Sequence, residues 1–522
     1  MAAPASAAAG ATPAGPPPLE GRQLLIGTLA LSAATFMNVL DSSIANVSLP
    51  AIAGDLGVSP SQGTWVITSF GVANAISVPL TGWLTQRFGA VRLFIASVIL
   101  FVLASWLCGL APSLEMLVVC RVLQGLVAGP MIPLSQTLLL ASYPRARAGT
   151  ALALWGMTTL VAPVAGPLLG GWITDNVSWP WIFYINVPVG LLAATMTWSI
   201  YRHRETPVRK LPIDRVGLAL LVVWVGSLQL MLDKGKELDW FHSTEIVVLG
   251  LLALGGFVVF LIWELTEAHP VVDLRLFARR NFVFGAATLS IAYGLFFGNI
   301  VLLPLWLQQW MGYNATMAGW ALAPVGLLAI LLTPLVGKKV SVWDPRWMAT
   351  GAFLGFAFVL WLRAQFTPLT DFQSILIPTL LQGAAVSFFF IPLTTLTLAG
   401  LEPARIPAAA GLSNFVRITA GAVGTSIATT IWENRAVLHH AHLVEQLGPA
   451  TAPELSSALE RMQLGGLDAA QALAQINRLV DQQAYTRAAD DIFLVSSWCF
   501  LGLIGLLWFT RRPASATAAP KS

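Results

Sequence analysis

The chain has 522 residues, of which 56% are hydrophobic and 10% are charged. This composition excludes an ordinary soluble domain and a disordered chain, and it is typical of a protein that crosses a membrane many times. The formal net charge of +4 reflects basic loops rather than a surface for nucleic acid.

Residues 1–18 are rich in Ala, Pro and Gly and contain no Leu or Ile, which predicts a disordered tail rather than a signal peptide. After this tail, long hydrophobic runs recur to the end of the chain. A backbone in lipid must satisfy its own hydrogen bonds, so runs of about twenty residues predict helices and not barrel strands. The fourteen predicted spans are 23–48, 62–84, 91–111, 114–137, 149–174, 181–201, 213–232, 245–264, 282–308, 317–337, 347–366, 372–398, 407–431 and 491–510.

Lys and Arg are concentrated in the loops on one side of the predicted bundle. Most of the 29 basic residues fall in loops on the same side as the amino terminus. The short loops on the other side hold only Lys234, Lys236 and Arg363. By the positive-inside rule, both termini are predicted to be cytoplasmic.

The loop at 432–490 is far longer than the other predicted loops. We interpret it as a periplasmic segment that folds partly into amphipathic helices and offers a docking surface for a periplasmic partner. The alternative is an unstructured connector. Its His439, His440 and His442 lack Cys or carboxylates at metal-ligand spacing, so we predict no metal site there.

Asp41 lies within residues 24–49, a stretch that is otherwise free of charge and long enough to cross the membrane. A carboxylate at that depth is costly, and such residues usually face an interior cavity and serve ion or proton pathways. Small and polar residues such as Asn38 and Ser42 share its helix face. We therefore predict that Asp41 takes part in proton coupling. The alternative is an aspartate that only fixes helix packing.

Arg121 lies in the fourth span and is a cation that cannot shed its proton in a protein. Close to Asp41 it would stabilise the carboxylate, whereas burial would favour the neutral acid. Opening to one side of the membrane or the other would shift that balance, as a proton-coupled switch requires. The alternative for Arg121 is a structural ion pair or a brace on backbone carbonyls.

Several other polar residues within the spans are candidates for contact with a substrate or for lining a central cavity. Arg417 lies near the centre of the thirteenth span and shares a helix face with Asn414, so it is a candidate for binding an anionic substrate. For any one of these residues the alternative is a hydrogen bond or brace between helices. The candidates are Asn46, Gln124, Asn299, Asn414 and Arg417.

Two groups of short motifs recur in register and in the same direction across the membrane. The echoed pairs are Leu-Gln-Gly at 123–125 and 381–383, Ile-Pro-Leu at 132–134 and 391–393, and Leu-Pro at 49–50 and 303–304. We therefore predict an all-α fold of fourteen helices, arranged 6+2+6 with a parallel pseudo-twofold repeat. Parallel halves with a site between them are a design for alternating access.

The repeat predicts a division of the chain into two bundles joined by an inserted pair. The predicted parts are a cytoplasmic tail at 1–22, an N-terminal six-helix bundle at 23–203, a linker with two inserted helices at 204–275, a C-terminal six-helix bundle at 276–510 that includes the loop 432–490, and a cytoplasmic tail at 511–522.

The first six spans contain short motifs, among them residues 40–50 in the first span and residues 117–129 in the fourth. These resemble the first-helix and fourth-helix motifs of the major facilitator superfamily, in the variants of its fourteen-helix drug:proton antiporter branch. The fifth span resembles the antiporter motif, carried by Pro163, Gly166, Pro167, Gly170 and Gly171. Small residues four apart let helix backbones approach closely, and proline bends a helix. This combination suits a rocking interface that seals against proton leak, although packing alone is the alternative.

The loop 82–92 resembles the cytoplasmic gate loop of the family, with Gly82, Arg87, Gly89 and Arg92 at the expected positions. It departs from the family pattern at Gln86, where an acidic residue is usual. That departure puts a charge-relay version of the gate in doubt, while the arginines and tight glycine turns remain.

The resemblance covers residues 22–510 and implies a proton-driven antiporter that exports hydrophobic or amphipathic drugs across the bacterial inner membrane. It also implies a periplasmic membrane-fusion adaptor and an outer-membrane channel as partners, with the proton gradient as energy source and no cofactor. The alternative within transport is a dedicated exporter of a metabolite, fatty acid or siderophore. The sequence contains no phosphate loop, zinc-binding His-Glu motif or serine elbow, which argues against an ATP-driven pump and an enzyme.

Overall fold

The structure is a computed structural model that describes residues 17–144, 147–209, 212–340, 342–446 and 452–512. Most of both predicted tails lies outside the described residues. Within the described ranges, the regular elements are helices. The α-helices are α1 Gly21–Asp55, α2 Pro60–Gly63, α3 Trp65–Ser77, α4 Thr81–Phe88, α5 Ala90–Gly109, α6 Leu114–Ala128, α7 Met131–Ser142, α8 Ala148–Asn176, α9 Trp181–Tyr184, α10 Asn186–Tyr201, α11 Arg215–Lys234, α12 Thr244–Thr266, α13 Arg280–Gln309, α14 Ala315–Leu322, α15 Pro324–Lys339, α16 Pro345–Arg363, α17 Phe372–Leu398, α18 Ile406–Gln446, α19 Ala452–Leu464 and α20 Ala469–Trp508.

The fourteen predicted spans correspond to the described helices, most of them to one helix or to two consecutive helices. The span 62–84 is divided among α2, α3, the 3-10 turn Val78–Leu80 and α4. Twelve helical stretches in the described residues are long and apolar enough to cross a membrane. The predicted spans at 149–174 and 407–431 correspond to α8 and α18, which are not among the twelve. The polytopic helical fold is therefore established, while the count of fourteen stays a prediction.

Proline accounts for several breaks within the spans. Pro79 lies in the short 3-10 turn Val78–Leu80 that separates α3 from α4. Pro130 precedes α7, and Pro324 is the first residue of α15. Proline has no backbone N–H to donate to the preceding turn, so it fits a helix start without loss of a hydrogen bond. Pro50 and Pro304, in contrast, lie inside the continuous helices α1 and α13.

Each half of the molecule has its own buried core. Phe94 and Phe101 of α5 are fully buried in the first half, and Phe353 and Phe389 are fully buried in the second. Between spans that are already in lipid, such side chains stabilise the bundle by close packing rather than by leaving water. The two cores hold the side chains of each half in fixed positions.

The inserted helices α11 and α12 pack against each other and against the second half. Trp224 of α11 lies 5.0 Å from the Phe257 ring of α12 and 5.7 Å from the Phe415 ring of α18, measured between centroids. Asp214 caps α11 by accepting a hydrogen bond from the Gly217 amide and also accepts one from the Trp263 indole. The two helices are therefore in contact where α11 begins and α12 ends, and also near the middle of α11.

The two halves meet near the end of the bundle at which α1 begins, which we call the proximal end. A Cβ atom on Gly82 of α4 would lie 2.8 Å from the Cα atom of Ala408 in α18. Gly149 of α8 packs against the backbone carbonyl of Gly337 in α15. Only glycine permits such close approach, so the halves are closed against each other at the proximal end.

At the opposite, distal end, α18 and α20 continue beyond the predicted spans. Helix α18 runs on to Gln446, and α20 begins at Ala469 with Asp468 in a capping box. The predicted last span, 491–510, is therefore only the final part of a longer helix. The reason is local, because residues 469–490 contain no Gly or Pro to end it.

The described part of the 432–490 segment is thus helical rather than an open connector. We call the distal parts of α18 and α20, with α19 between them, the distal hairpin. Its two long helices are joined by ionic contacts, since Asp491 accepts hydrogen bonds from Arg435 at 2.5 Å and lies 2.8 Å from the His439 ring nitrogen. His440 similarly lies 3.7 Å from Asp481. These two histidines therefore face aspartates of α20.

Candidate functional site

Asp41 and Arg121 form an ion pair inside the first half. The Arg121 Nη1 atom donates to Asp41 Oδ2 at 2.5 Å, and the two residues are 1% and 2% exposed, respectively. Helices α1 and α6 bring them together from sequence positions eighty residues apart. The two charged side chains are therefore in direct contact.

Neutral side chains complete the surroundings of this carboxylate. The other oxygen, Oδ1, accepts from Gln124 Nε2 at 3.1 Å and from Asn186 Nδ2 at 2.8 Å. Asn186 also donates to Ser105 Oγ at 2.9 Å. With Arg121, these amides give the buried carboxylate three side-chain donors, one to Oδ2 and two to Oδ1.

Arg121 is held by more than the carboxylate. Its Nε atom donates to the backbone oxygen of Val66 at 3.0 Å, and Nη1 donates to Gln124 Oε1 at 2.7 Å. The guanidinium carbon lies 4.2 Å from the centroid of the Phe70 ring. A planar cation with several fixed donors suits this arrangement, and a lysine ammonium does not reproduce it.

Sequence reasoning did not identify Asn186 as a partner of Asp41. Its signal is an amide at the start of an otherwise apolar span, directly after the break between α9 and α10. Nothing in the sequence relates that position to α1. The structure also places Gln124, predicted as a cavity candidate, in this cluster, where it is fully buried and bonded to both members of the ion pair.

Arg417 and Asn414 lie where the two halves meet. Asn414 Nδ2 donates across the interface to Gln136 Oε1 at 3.1 Å, and Arg417 Nη2 donates to Asn414 Oδ1 at 2.6 Å. The Arg417 guanidinium carbon lies 4.8 Å from the centroid of the Tyr293 ring and 5.8 Å from that of Trp155. Trp155 belongs to the first half and Tyr293 to the second, so both halves surround this cation.

No carboxylate is among the contacts of Arg417 in the described part of the chain. Aromatic faces attract a cation but do not neutralise it. The side chain is only 5% exposed, so it is a buried charge that has no counter-ion among the described residues. An anionic group that enters between the halves would supply one.

The two remaining cavity candidates have different surroundings. Asn46 is exposed, toward the distal part of α1. Asn299 instead turns toward α20, with Nδ2 donating to Ser496 Oγ at 3.0 Å and to the Leu295 carbonyl at 2.6 Å. Asn299 thus makes the hydrogen bond between helices that was the alternative for each candidate, and its role at a central cavity stays a prediction.

The antiporter motif packs α8 closely against α1. A Cβ atom on Gly166 would collide with the Ser43 side chain, and one on Gly170 would lie 3.2 Å from the Ile44 carbonyl oxygen. Gly171 has no atom within 4 Å of such a position. The motif therefore divides into two contact positions and one open position. The side chains of Pro163 and Pro167 lie outside the described residues, so the predicted bend stays a prediction.

The gate loop contacts a carboxylate that lies outside the loop, that of Glu205. Glu205 accepts hydrogen bonds from the backbone amides of Val91 and Arg92, at 3.0 and 2.9 Å, and so caps the start of α5. A negative charge at a helix amino terminus is stabilising. Gly89, with φ of 90°, makes the turn that this approach requires. Arg87 stacks over the Trp83 ring at 5.5 Å.

The second half buries Arg363, which the sequence analysis had assigned to a short loop on the side opposite the amino terminus. Arg363, at the end of α16, is 1% exposed and donates to Gln382 Oε1 at 2.7 Å and to Thr379 Oγ1 at 3.2 Å. Gln382 occupies the same motif position as Gln124. Both echoed glutamines therefore hold an arginine, but in the second half it comes from a different helix and has no acidic partner among the described residues.

Comparison with known proteins agrees with this architecture. Residues 31–425 match the Major Facilitator Superfamily. Multidrug export protein EmrB of Escherichia coli K12 is 52% identical over 500 residues, which cover 96% of this chain and 98% of that protein. Fatty acid resistance protein FarB of Neisseria gonorrhoeae is 50% identical over 497 residues, covering 95% of this chain and 98% of that protein. The solved structure of the human organic anion transporter MFSD10 (TETRAN) superposes with a TM-score of 0.57 at 13% identity, covering 94% of this chain and all of that one, and shows a shared fold.

Proposed function

The chain belongs to the Major Facilitator Superfamily, beside EmrB, and we propose that it is a proton-driven antiporter that exports hydrophobic and amphipathic compounds, including drugs. The resemblance inferred from the motifs is confirmed at the level of the family and of the EmrB-type multidrug exporters. Proton coupling, the site residues and the partners are the parts that we add.

The observation that carries the proposal is the enclosed Asp41–Arg121 pair. Burial raises the free energy of the charged carboxylate, and Arg121 with the two amides lowers it. A movement that withdraws one of these donors would let the carboxylate take up a proton, and the return movement would release it. Gln124 and Asn186 are on different helices, α6 and α10, so a shift between helices is enough to change the set of donors.

The distribution of Lys and Arg supports an inner-membrane orientation with the proximal end in the cytoplasm. The contacts Gly82–Ala408 and Gly149–Gly337 then close the cytoplasmic side, and the exposed Asn46 faces the periplasmic side. On this view the structure corresponds to a state from which a substrate is released outward. The full arrangement that we propose is fourteen helices as 6+2+6.

Arg417 is the group that we assign to substrate contact. It is a cation enclosed by aromatic rings from both halves, so a mainly apolar compound with an anionic or strongly accepting group would fit it. The contact between Asn414 and Gln136 crosses the same interface and must change when the halves move. Substrate contact and movement of the halves would then occur at one place.

The test is transport by the purified full-length protein in liposomes with an imposed pH gradient and no ATP. We expect accumulation of a fluorescent lipophilic dye only when the gradient has the orientation that drives antiport. Dissipating the gradient with nigericin in potassium medium should stop it. Equal transport with and without the gradient would overturn proton coupling, while absence of transport for a broad panel of compounds would overturn multidrug export.

A second candidate function is export of a dedicated compound such as a fatty acid. The similarity to FarB, named for fatty acid resistance, favours it, because that protein is nearly as similar to this chain as EmrB is. Susceptibility of an efflux-deficient host that expresses the chain separates the two functions. Protection against several unrelated drugs supports multidrug export, and protection against long-chain fatty acids alone supports the dedicated exporter.

We further propose that the chain works with a periplasmic membrane-fusion adaptor and an outer-membrane channel. The support is the distal hairpin, which is helical and carries exposed apolar side chains such as Val437, Leu464 and Leu473. Isolated apolar residues are common on surfaces, but several on a projecting helical segment suit a protein partner.

A further inference from the structure

A large apolar groove lies outside the interface between the two halves. Its volume is about 1160 Å³, and it runs between the inserted pair α11–α12 on one side and helices α13, α18 and α20 on the other. Along α18 it extends from Leu412 to Arg435, which at about 1.5 Å per residue is on the order of 35 Å. It is thus as long as the apolar part of a bilayer is thick.

The groove opens toward the bilayer and not toward the Arg417 site. Ile427 of α18 and Val495 of α20 line it and are 51% and 61% exposed. In the fourteen-helix arrangement that we propose, both residues lie within membrane spans, where an exposed apolar side chain faces lipid. At the distal end the Arg435–Asp491 pair borders the groove. A compound dissolved in the bilayer could therefore enter it without passing through water.

The groove wall contains buried polar groups without partners. The indole nitrogen of Trp224, the hydroxyl of Ser290 and the side-chain oxygen of Asn299 have no hydrogen-bond partner among the described residues, and all three residues line the groove. Each residue is more than nine-tenths buried. A buried polar atom without a partner is costly, and a native protein usually provides one.

These groups distinguish between two kinds of occupant. A lipid acyl chain would fill the volume but would leave all three polar atoms unpaired. A mainly apolar compound with a donor for Asn299 Oδ1, or an acceptor for Trp224 or Ser290, would fill the volume and pair at least one of them. Small adjustments of these side chains would bring the atoms to the groove surface.

We propose that this groove binds amphipathic, mainly apolar small molecules from the bilayer and is the site at which the transporter captures its substrates from the membrane. The capture role rests on the proposed export function, whereas binding in the groove does not. The inserted helices, which supply Trp224, Phe257 and Phe260, then form one wall of a binding site in addition to connecting the halves.

The first experiment measures binding of N-phenyl-1-naphthylamine to the full-length protein in lipid nanodiscs, with empty nanodiscs as the blank. Ile427→Trp places a large ring inside the groove, and Leu331→Trp adds the same ring to α15 at an exposed site outside it. We expect at least tenfold weaker binding for Ile427→Trp and no change for Leu331→Trp. Equal affinities of the two variants would overturn the site.

The second experiment tests the hydrogen bond. The probe has one N–H donor, and 1-benzylnaphthalene has a similar shape without it. For Asn299→Leu we expect about two- to tenfold weaker binding of the amine, as for loss of one hydrogen bond. The affinity for 1-benzylnaphthalene should stay the same. An equal response of both compounds would show that the groove holds hydrocarbon only, as a lipid site would, and would overturn recognition of amphipathic compounds.

Binding and export are separated by the Asp41→Asn variant. If export is coupled through Asp41, this variant should bind the probe in the groove with wild-type affinity and fail to transport it. As a single change, with Asp41 intact, Ile427→Trp should raise the KM for a membrane-soluble substrate. Its kcat should stay within about twofold of the wild-type value. Loss of export with intact groove binding in Asp41→Asn would support the groove as a binding site that is separate from proton coupling. An unchanged KM for Ile427→Trp would overturn the role of the groove in capture.

Discussion

The Asp41–Arg121 pair shows how a membrane protein accommodates a charged side chain whose burial is unfavourable in free energy. Both charges are withdrawn from water, and their attraction has to offset two desolvation penalties. The cluster reduces that cost with amide donors from Gln124 and Asn186 and a backbone carbonyl from Val66. Within the described part of the chain, the hydrogen-bond partners of Arg363 are the neutral side chains of Thr379 and Gln382. The two halves thus bury cations by different means.

Asp41→Asn should abolish pH-driven transport, because the amide keeps the shape but cannot exchange a proton. The change also leaves Arg121 buried without its counter-ion, and breaking a buried pair in this way costs about 3–5 kcal/mol in soluble proteins. We therefore expect a lower melting temperature together with loss of transport in proteoliposomes. Normal pH-driven transport by the variant would remove Asp41 from the mechanism.

A double variant separates loss of stability from loss of coupling. In Asp41→Asn combined with Arg121→Gln both charges are gone, so the melting temperature should recover relative to the single variant. Transport should remain absent. If transport returned with stability, the pair would have a structural role only.

Arg121→Lys should fold and retain weak transport, well below the wild-type rate, and Arg121→Ala should retain none. Lysine keeps the charge but loses the planar fork that reaches Asp41, Gln124 and the Val66 carbonyl together. The measurement is the initial rate of dye transport at matched protein density. Equal rates for arginine and lysine would show that charge alone is sufficient.

At the scale of single helices, the contact of α8 with α1 depends on where each small residue lies. Gly166 and Gly170 face α1 closely, and Gly171 does not. Residues four apart share a helix face, whereas the next residue along points about 100° away. Close packing at a glycine also occurs between α6 and α3, where Gly125 contacts the Phe70 carbonyl.

Gly166→Leu should block transport while the protein still inserts, because the side chain would collide with Ser43 and separate two helices that pack closely. Gly171→Leu, in the same motif and on the same helix, should transport at close to the wild-type rate because its surroundings are open. The measurement is dye transport at matched expression. If both variants transported equally well, close packing of α8 on α1 would not be required.

At the scale of the whole molecule, the two halves are closed at the proximal end by glycine-mediated contacts. Gly149 and Gly337 pack backbone against backbone, and Gly82 packs on Ala408. Alternating access requires that these contacts open and close with each cycle. The groove under the inserted helices lies outside that interface.

Gly149→Val should disfavour the state that is closed at the proximal end, because its side chain would collide with Val340 and the Gly337 carbonyl. The measurement is labelling of Asn46→Cys from the periplasmic side, in a background where the exposed Cys499 is Ser. We expect slower labelling than in the parent. Gly156→Val is the matched control on α8, since nothing lies within 4 Å of a Cβ atom there. Equal labelling of all three proteins would contradict the closed-state interpretation.

Replacing the distal hairpin by a short linker that still joins α18 and α20 should spare transport in inside-out vesicles. It should remove drug resistance in cells, because export beyond the outer membrane needs the partner that we place on this surface. The control deletes only residues 452–464, the α19 segment between the two long helices. Full resistance with the entire hairpin removed would show that the adaptor docks elsewhere.

The sequence by itself determined the class of fold, the family and most of the helices. Transmembrane helices depend on length, hydropathy and local backbone hydrogen bonds, all of which are readable along the chain. The family motifs are local as well. For the same reason Asp41 and Arg121 stood out, because a charge in an apolar run is visible without knowledge of its partner.

Only the tertiary structure decided which of these residues meet. Asn186, Glu205 and Arg363 acquire their partners through contacts between helices, and no periodicity within one helix specifies those contacts. The same holds for Asn299, which donates to Ser496 of α20, and for the groove beside it, whose walls come from five helices. Helix packing in a membrane depends on close fit between whole surfaces, so it is settled by the assembled bundle and not by any one segment.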